Sequence, residues 1–245
     1  MTAQLTEVED GIFRISVLHT GYGMQFVHYL LRDDEPFLMH TGMRAHFGAV
    51  RDAVARVMDP ATLRWIGFSH FEADECGTLA QWCDAAPHAQ PVCGQLGVML
   101  NLADLSPRPA RGLDDGAALQ TGARTLRYLA TPHLPHGMDA GMFFDESAGA
   151  LLCSDLFFQP GDPPPVTEAD IMDTVRAVLA QSAHGPLAAD LPWTPHSATQ
   201  LARLEALNPR LLAVMHGSTY RGDGAAAIRA LTQTLRERAG MSATP

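Results

Sequence analysis

Residues 69–75 constrain this chain more than any other segment, because they hold four metal-capable side chains within six residues. His70, Glu72 and Asp74 are separated by single apolar residues, and Glu75 follows directly. The apolar run before them, residues 63–68, is typical of a short buried strand. In layered α/β proteins, ligands bind at the sheet edge where such strands end. The pattern therefore predicts a ligand site at one edge of a sheet.

Three other strand-like runs are also followed by a residue that can bind a metal. One run leads through a short turn to His136, and the other two lead directly to Asp155 and His216. A single histidine after an apolar run is more often structural, but four such places in one chain favour a shared site. Imidazole and carboxylate donors without cysteine suit one or two divalent or trivalent metals rather than a thiolate zinc site.

Composition excludes several classes of function. The chain has 245 residues, a length typical of one α/β domain, so we expect a single domain over residues 1–245. The formal net charge of −10 argues against nucleic-acid binding. Neither a secretory signal nor an apolar run of ~18 residues is visible, so we expect a cytoplasmic protein without a membrane partner. The four cysteines lack CxxC spacing and are expected to be reduced.

The order of predicted elements indicates β-sheets covered by helices. Strands are predicted at 12–18, 26–31, 37–40, 63–68, 91–93, 126–130, 142–145, 151–154 and 211–215. Helical patterns cover 43–58, 79–82, 167–181, 196–207 and 225–238. Residues 101–122 carry several Gly, Pro and Asp residues, which predicts loops or short hairpin elements.

The donor pattern resembles the metallo-β-lactamase superfamily, in particular the diiron domain of flavodiiron proteins and their stand-alone oxygen-binding relatives. Hydrolytic members typically carry His-x-His-x-Asp-His, whereas this chain has His70-x-Glu72-x-Asp74-Glu75. Glutamate at the second donor position marks the diiron branch. It adds negative charge and a hard oxygen donor, which favours iron over zinc. Segments 136–139, 152–155 and 215–218 resemble the later donor segments of the same branch.

The resemblance implies an α/β fold, namely an αββα sandwich of two mixed sheets with helices outside and metals at one edge. It implies no catalytic residues beyond the metal ligands. Asp155 would bridge two metals roughly 3.5–4 Å apart, as in two-metal sites generally. The implied ligands are His70, Glu72 and His136 for one iron, Asp74 and His216 for the other, and Asp155 for both.

The implied function is a non-haem diiron protein that binds or reduces O2 or NO with two Fe ions, Mn or Zn being the alternative metals. Flavodiiron proteins continue into a flavodoxin domain, whereas this chain ends about 30 residues after His216. We therefore expect no bound flavin and a separate redox partner. The alternatives are a dinuclear zinc hydrolase of an ester, thioester or lactone, and a non-enzymatic oxygen sensor. The sequence leaves the oligomeric state open, with a homodimer as one alternative.

Two positions leave the ligand set open. Glu75 stands where the family usually has a histidine. It could be an extra carboxylate ligand, or an acid at the start of the next helix, where the helix dipole favours negative charge. His133 competes with His136 in the same turn. The family spacing favours His136, and His133 is then expected to line the pocket or support a ligand.

Overall fold

Two mixed β-sheets form the centre of the molecule in the computed structural model, which describes residues 1–241. Residues 242–245 of the predicted domain lie outside the described part. Pairing in the first sheet is antiparallel between the four N-terminal strands and parallel between the others. This sheet contains, in spatial order, β1 (Gln4–Glu9), β2 (Ile12–His19), β3 (Met24–Leu31), β4 (Phe37–Met39), β5 (Trp65–Gly67), β6 (Gln90–Gly94) and β7 (Arg111–Leu113).

The second sheet is built from the C-terminal half of the chain. Its strands, in spatial order, are β12 (Val166–Thr167), β14 (Thr219–Arg221), β13 (Leu211–Ala213), β11 (Ala150–Leu152), β10 (Gly141–Asp145), β9 (Thr125–Ala130) and β8 (Ala118–Gln120). β11 pairs with β13, and β12 with β14, in parallel, while the other neighbours are antiparallel. β10 and β11 form the predicted hairpin.

Helices cover the outer face of each sheet. The helices are α1 (Phe47–Ala55), α2 (Ala73–Cys76), α3 (Leu79–Ala85), α4 (Gln95–Gly97), α5 (Ala103–Leu105), α6 (Met172–Ser182), α7 (Ser197–Ala206) and α8 (Gly224–Arg238). A 3-10 turn (Pro60–Thr62) precedes β5, and a π-helical turn (Val98–Leu102) joins α4 to α5. In residues 1–241, no helix combines the length and the apolar character needed to cross a bilayer.

Three apolar clusters hold the layers together. α1 and α3 pack on the first sheet, where Val54 and Trp82 share a cluster with Leu30. α6, α7 and α8 pack on the second sheet in a separate cluster. Between the sheets, Tyr29 and Phe143 belong to a third, fully buried cluster. Because alternate residues of a strand face opposite sides, both faces of each sheet are buried. The four layers confirm the predicted αββα sandwich.

The differences from the predicted elements fall at edges and helix starts. β1 and β14 were not predicted, because β1 carries polar, exposed residues that blur the period of two and β14 has only three residues. The helix predicted at 167–181 begins at Met172, where the Asp170 carboxylate accepts a hydrogen bond from the Met172 amide. Residues 101–122 contain β7 and β8, one on each sheet, rather than a hairpin.

Candidate metal centre

The loops that follow β5, β9, β11 and β13 meet at one edge of the sandwich and carry the six predicted donors. Backbone hydrogen bonds join these loops to each other. The Gly141 amide donates to the Ser69 carbonyl at 2.9 Å, and the Met215 amide donates to the Ser154 carbonyl at 3.0 Å. The donor segments are thereby fixed to both sheets, as the strand-end pattern predicts.

The first group of donors surrounds the Nε2 atom of His70. The His136 Nε2 atom lies 2.9 Å from it, and the Glu72 Oε1 atom lies 3.1 Å from His136 Nε2. The Asp155 Oδ2 atom is 3.5 Å from His70 Nε2 and 3.7 Å from His136 Nε2. His70, Glu72 and His136 thus offer three ligand atoms within 4.8 Å of one another. Such a spacing is compact enough for one cation.

The second group is centred on His216. Its Nε2 atom lies 3.4 Å from Asp74 Oδ2 and 3.3 Å from Asp155 Oδ1. The two oxygens of Asp155 therefore face different histidines, Oδ2 towards His70 and Oδ1 towards His216. A carboxylate placed in this way can bridge two cations, so the structure brings all six predicted donors into one site.

Backbone carbonyls fix the orientation of two donor imidazoles. His136 Nδ1 donates to the Asp190 carbonyl at 3.0 Å, and His216 Nδ1 donates to the Gln25 carbonyl at 2.9 Å. Because a carbonyl oxygen can only accept, each Nδ1 carries the proton, and each Nε2 is directed to the carboxylates. Metal-binding histidines use their second ring nitrogen in the same way.

A buried hydrogen-bond network supports His70. The Ser69 Oγ atom lies 3.0 Å from His70 Nδ1 and 3.1 Å from His40 Nε2, and it accepts from the Ser154 hydroxyl at 2.7 Å. All four residues are buried. This role of Ser69 was not predicted, although its position directly before His70 was a signal.

Glu75 points into the site. Its side chain is only 1% exposed, and its Oε1 atom lies 3.8 Å from His70 Nε2. Burial, reinforced by the charges of Asp155 and Asp74, raises the pKa of Glu75 well above its usual range. Glu75 lies in the first turn of α2, but its carboxylate is directed to the other donors rather than to solvent. Glu75 is therefore a seventh candidate ligand.

Of the two histidines in the turn after β9, only His136 joins a donor group. The His133 side chain is exposed, and its amide donates to the Gly137 carbonyl at 2.8 Å. The structure therefore places His136 in the site, as the spacing predicted. His133 belongs to none of the donor groups formed by residues 1–241.

Protonated histidines balance the carboxylates of the site. Burial lowers the pKa of His216, but hydrogen bonds to Asp155 and Asp74 outweigh it and raise the pKa to about 10. Burial likewise opposes protonation of His136, but Glu72 and Asp155 raise its pKa to about 9. Both imidazoles therefore carry protons at neutral pH. A cation would displace these protons, so its apparent affinity rises with pH.

The donor set fits a pair of hard cations. Within residues 1–241, the buried Oε2 atom of Glu75 has no hydrogen-bond partner. Leaving such a group unpaired costs free energy that a bound cation would recover. Nitrogen and oxygen donors without sulfur are the ligands that iron, manganese and zinc accept. The residues present therefore fit the implied metals.

The role of Glu75 can be tested by Glu75→Gln, which keeps the shape of the side chain and removes its charge. If the carboxylate binds a cation, the affinity for the more weakly held ion falls at least about tenfold. The unfolding free energy of the metal-free protein is expected to stay equal or rise, because repulsion from Asp155 and Asp74 is relieved. Calorimetric metal titration and urea unfolding measure both quantities. Glu168→Gln, at an exposed position, is the control, and an unchanged affinity would show that Glu75 is not a ligand.

Aromatic rings and a distant loop complete the surroundings of the site. The centroids of the Phe26 and Phe158 rings lie 5.1 and 5.4 Å from that of His216 and shield it. Asp190, which orients His136, was missed from the sequence. It lies between α6 and α7 and contacts His136 Nδ1 through its carbonyl at 3.0 Å and its carboxylate at 3.3 Å, but it follows no strand-like run that could have indicated it.

Comparison with known proteins identifies the same fold and family. The model of the family described as ODP family beta lactamase matches residues 24–180. Flavo-diiron protein FprA2 of Clostridium acetobutylicum is 21% identical over 225 residues, which are 74% of this chain and 56% of that protein. Rubredoxin-oxygen oxidoreductase of Megalodesulfovibrio gigas is 25% identical over 171 residues, 64% of this chain and 42% of that protein. The chain thus spans about half the length of these relatives.

Solved structures agree with these matches. Rubredoxin oxygen:oxidoreductase of Desulfovibrio gigas superposes with a TM-score of 0.79 at 19% identity, covering 96% of this chain and 62% of that one. The flavodiiron protein of Giardia intestinalis gives a TM-score of 0.77 at 18% identity, covering 97% and 60%. The chain therefore belongs to the ODP family of beta lactamases and has the metallo-β-lactamase fold of the diiron domain of flavodiiron proteins.

Proposed function

We propose that this chain holds two iron ions and uses them to bind or reduce O2 or NO, with electrons from a separate partner protein. The observation that carries the proposal is the position of Asp155. Its Oδ2 atom lies 3.5 Å from His70 Nε2, and its Oδ1 atom lies 3.3 Å from His216 Nε2. A single carboxylate shared between two histidine-containing groups is the arrangement that a dinuclear site requires.

The ligand assignment follows the two groups of donors. His70, Glu72 and His136 would hold one iron, Asp74 and His216 the other, and Asp155 both. Glu75 would complete the ligand set of the second ion, at the position where the family usually has a histidine. Four carboxylates against three imidazoles make the site rich in hard, negative donors, which favours iron over zinc. When bound and reduced, the two irons would supply electrons and an open coordination position for the diatomic molecule.

The surrounding residues would keep the donors in place and the site dry. The Asp190 and Gln25 carbonyls and the Ser69 hydroxyl each engage one donor imidazole through its Nδ1 atom. The rings of Phe26 and Phe158 lie against His216 and exclude water from its side of the site. Excluding water strengthens each electrostatic interaction in the site, because the local dielectric is lower.

The relatives support the choice of substrate. One is named a rubredoxin-oxygen oxidoreductase and another a flavo-diiron protein, and both are longer than the stretch they share with this chain. A separate electron donor is part of the proposal. The sensor alternative keeps the same site and differs only in the absence of turnover.

Metal analysis with a spectrum under anaerobic and aerobic conditions tests the proposal. We expect about two irons per chain, and a near-ultraviolet absorption band that develops when the reduced protein meets O2. A protein that holds only zinc and hydrolyses a thioester or lactone would contradict the proposal and support the hydrolase. A gas-dependent change in partner association without turnover would identify a sensor.

A further inference from the structure

A mostly apolar cavity of about 90 Å³ opens beside Asp155. Its walls come from three parts of the chain: α6, the loop after β11 and segment 187–191. Val175 and Leu179 contribute from α6, and Phe157 contributes from the loop. Leu187, at 61% exposure, marks the mouth at the surface. The cavity therefore connects the surface with the carboxylate shared by the two donor groups.

Segment 187–191, which forms the outer wall, is attached at two points. The Arg238 Nη2 atom of α8 donates to the Ala188 carbonyl at 3.1 Å. The Asp190 carbonyl accepts the hydrogen bond from His136 Nδ1 at 3.0 Å. The same five residues thus close the cavity and orient one of the donor imidazoles. A displacement of this wall would change both the cavity and the site.

The size and lining of the cavity limit what it can hold. Apolar cavities of roughly 150 Å³ take up xenon or benzene, so a cavity of about 90 Å³ has room for a diatomic molecule. Its mostly apolar walls favour xenon and other small apolar molecules. Asp155 and Asp190 border the cavity together with Arg238, so its lining holds more acidic than basic groups, which disfavours anionic substrates. An uncharged, small, weakly polar ligand fits these conditions.

We propose that this cavity is the entry and holding chamber for O2 or NO on its way to Asp155, with segment 187–191 as its outer wall. The choice of gas rests on the proposed function, whereas the binding of a small apolar molecule rests on the cavity alone. The two parts therefore call for separate measurements.

Xenon NMR on the protein as purified tests binding without any reaction. We expect xenon to shift the methyl signals of Val175 and Leu179 in the wild-type protein. Leu179→Trp should fill the chamber and abolish the shifts of Val175. The matched control is Leu105→Trp, because Leu105 is 57% exposed and does not line the cavity. An absence of xenon shifts in the wild-type chamber would overturn the proposal.

The rate of NO association with the reduced, iron-loaded protein tests the route. Leu179→Trp should slow association at least about tenfold at unchanged iron content, because a blocked path must open before binding. Leu187→Trp, at the exposed mouth, should also slow NO association. Because Leu187 lies at the surface, this variant tests the route even if Leu179→Trp fails to fold. Leu105→Trp should react like the wild type. Equal rates in all four proteins would overturn the route, as would displacement of xenon by an acyl lactone that the protein then hydrolyses.

The two levels of the proposal fail in different ways. A protein that takes up xenon in the chamber but binds no iron contradicts the proposed function and leaves the apolar binding site established. If the protein binds two irons and Leu179→Trp associates with NO as fast as the wild type does, the proposed function stands and the entry route through the chamber is contradicted.

Discussion

Asp155→Asn is expected to reduce the metal content from two ions per chain to one or fewer, and to lower the rate of reaction with O2 at least about a hundredfold. The physical reason is that the two carboxylate oxygens face different histidines, at 3.5 Å from His70 Nε2 and 3.3 Å from His216 Nε2. An asparagine offers one weaker oxygen donor and an amide that repels a cation. Elemental analysis and stopped-flow spectroscopy measure the two effects.

The matched control for this change is Asp173→Asn. The Asp173 side chain is 94% exposed on α6, and its contact with Arg176 is a surface ion pair. This variant should keep both metals and the wild-type rate. If Asp155→Asn instead retained two ions with unchanged affinity, Asp155 would not bridge them, and the assignment of the centre would have to be abandoned.

Arg14→Ala is expected to destabilise the fold by about 3–5 kcal/mol, because it leaves several buried acceptors unpaired. Arg14 is fully buried. It donates to the Ser16 hydroxyl and the Gly217 carbonyl, both at 2.7 Å, and also to the Gln25 side chain. Gly217 directly follows His216, so the same change should weaken binding of the cation held by His216.

Urea unfolding of the metal-free protein measures the loss of stability, and metal titration measures the loss of affinity. Arg51→Ala serves as control, because Arg51 makes an exposed pair with Asp52, and its removal should change stability by less than about 0.5 kcal/mol. A loss below about 1 kcal/mol for Arg14→Ala would show that water replaces the guanidinium at low cost.

The positions of the donors could be predicted because strand-like apolar runs lead to four of them. His70 after β5 and Asp155 after β11 are examples, and the sheets bring them within 3.5 Å. β1 and β14 escaped prediction because β1 alternates only weakly between buried and exposed positions and β14 has only three residues. The choice between His133 and His136 rested on family spacing, since both histidines lie in the same turn.

Other parts of the site could not be predicted, because they act through the backbone or lie outside the strand-end pattern. Gln25 orients His216 through its backbone carbonyl, which every residue possesses. Asp190 contacts His136 through its carbonyl and its carboxylate, but it follows no strand. The direction of Glu75 was also undetermined, since a residue in the first turn of a short helix can face either solvent or the loop before it. Only the packing of α2 against the sheet edge decides it.

The donors are divided between the two sheets. His70, Glu72 and Asp74 follow a strand of the first sheet, whereas Asp155 and His216 follow strands of the second. Cations bound between these donors would cross-link the two sheets of the sandwich. Folding and metal loading would then be thermodynamically linked, and removal of the metals would lower the unfolding free energy of the protein.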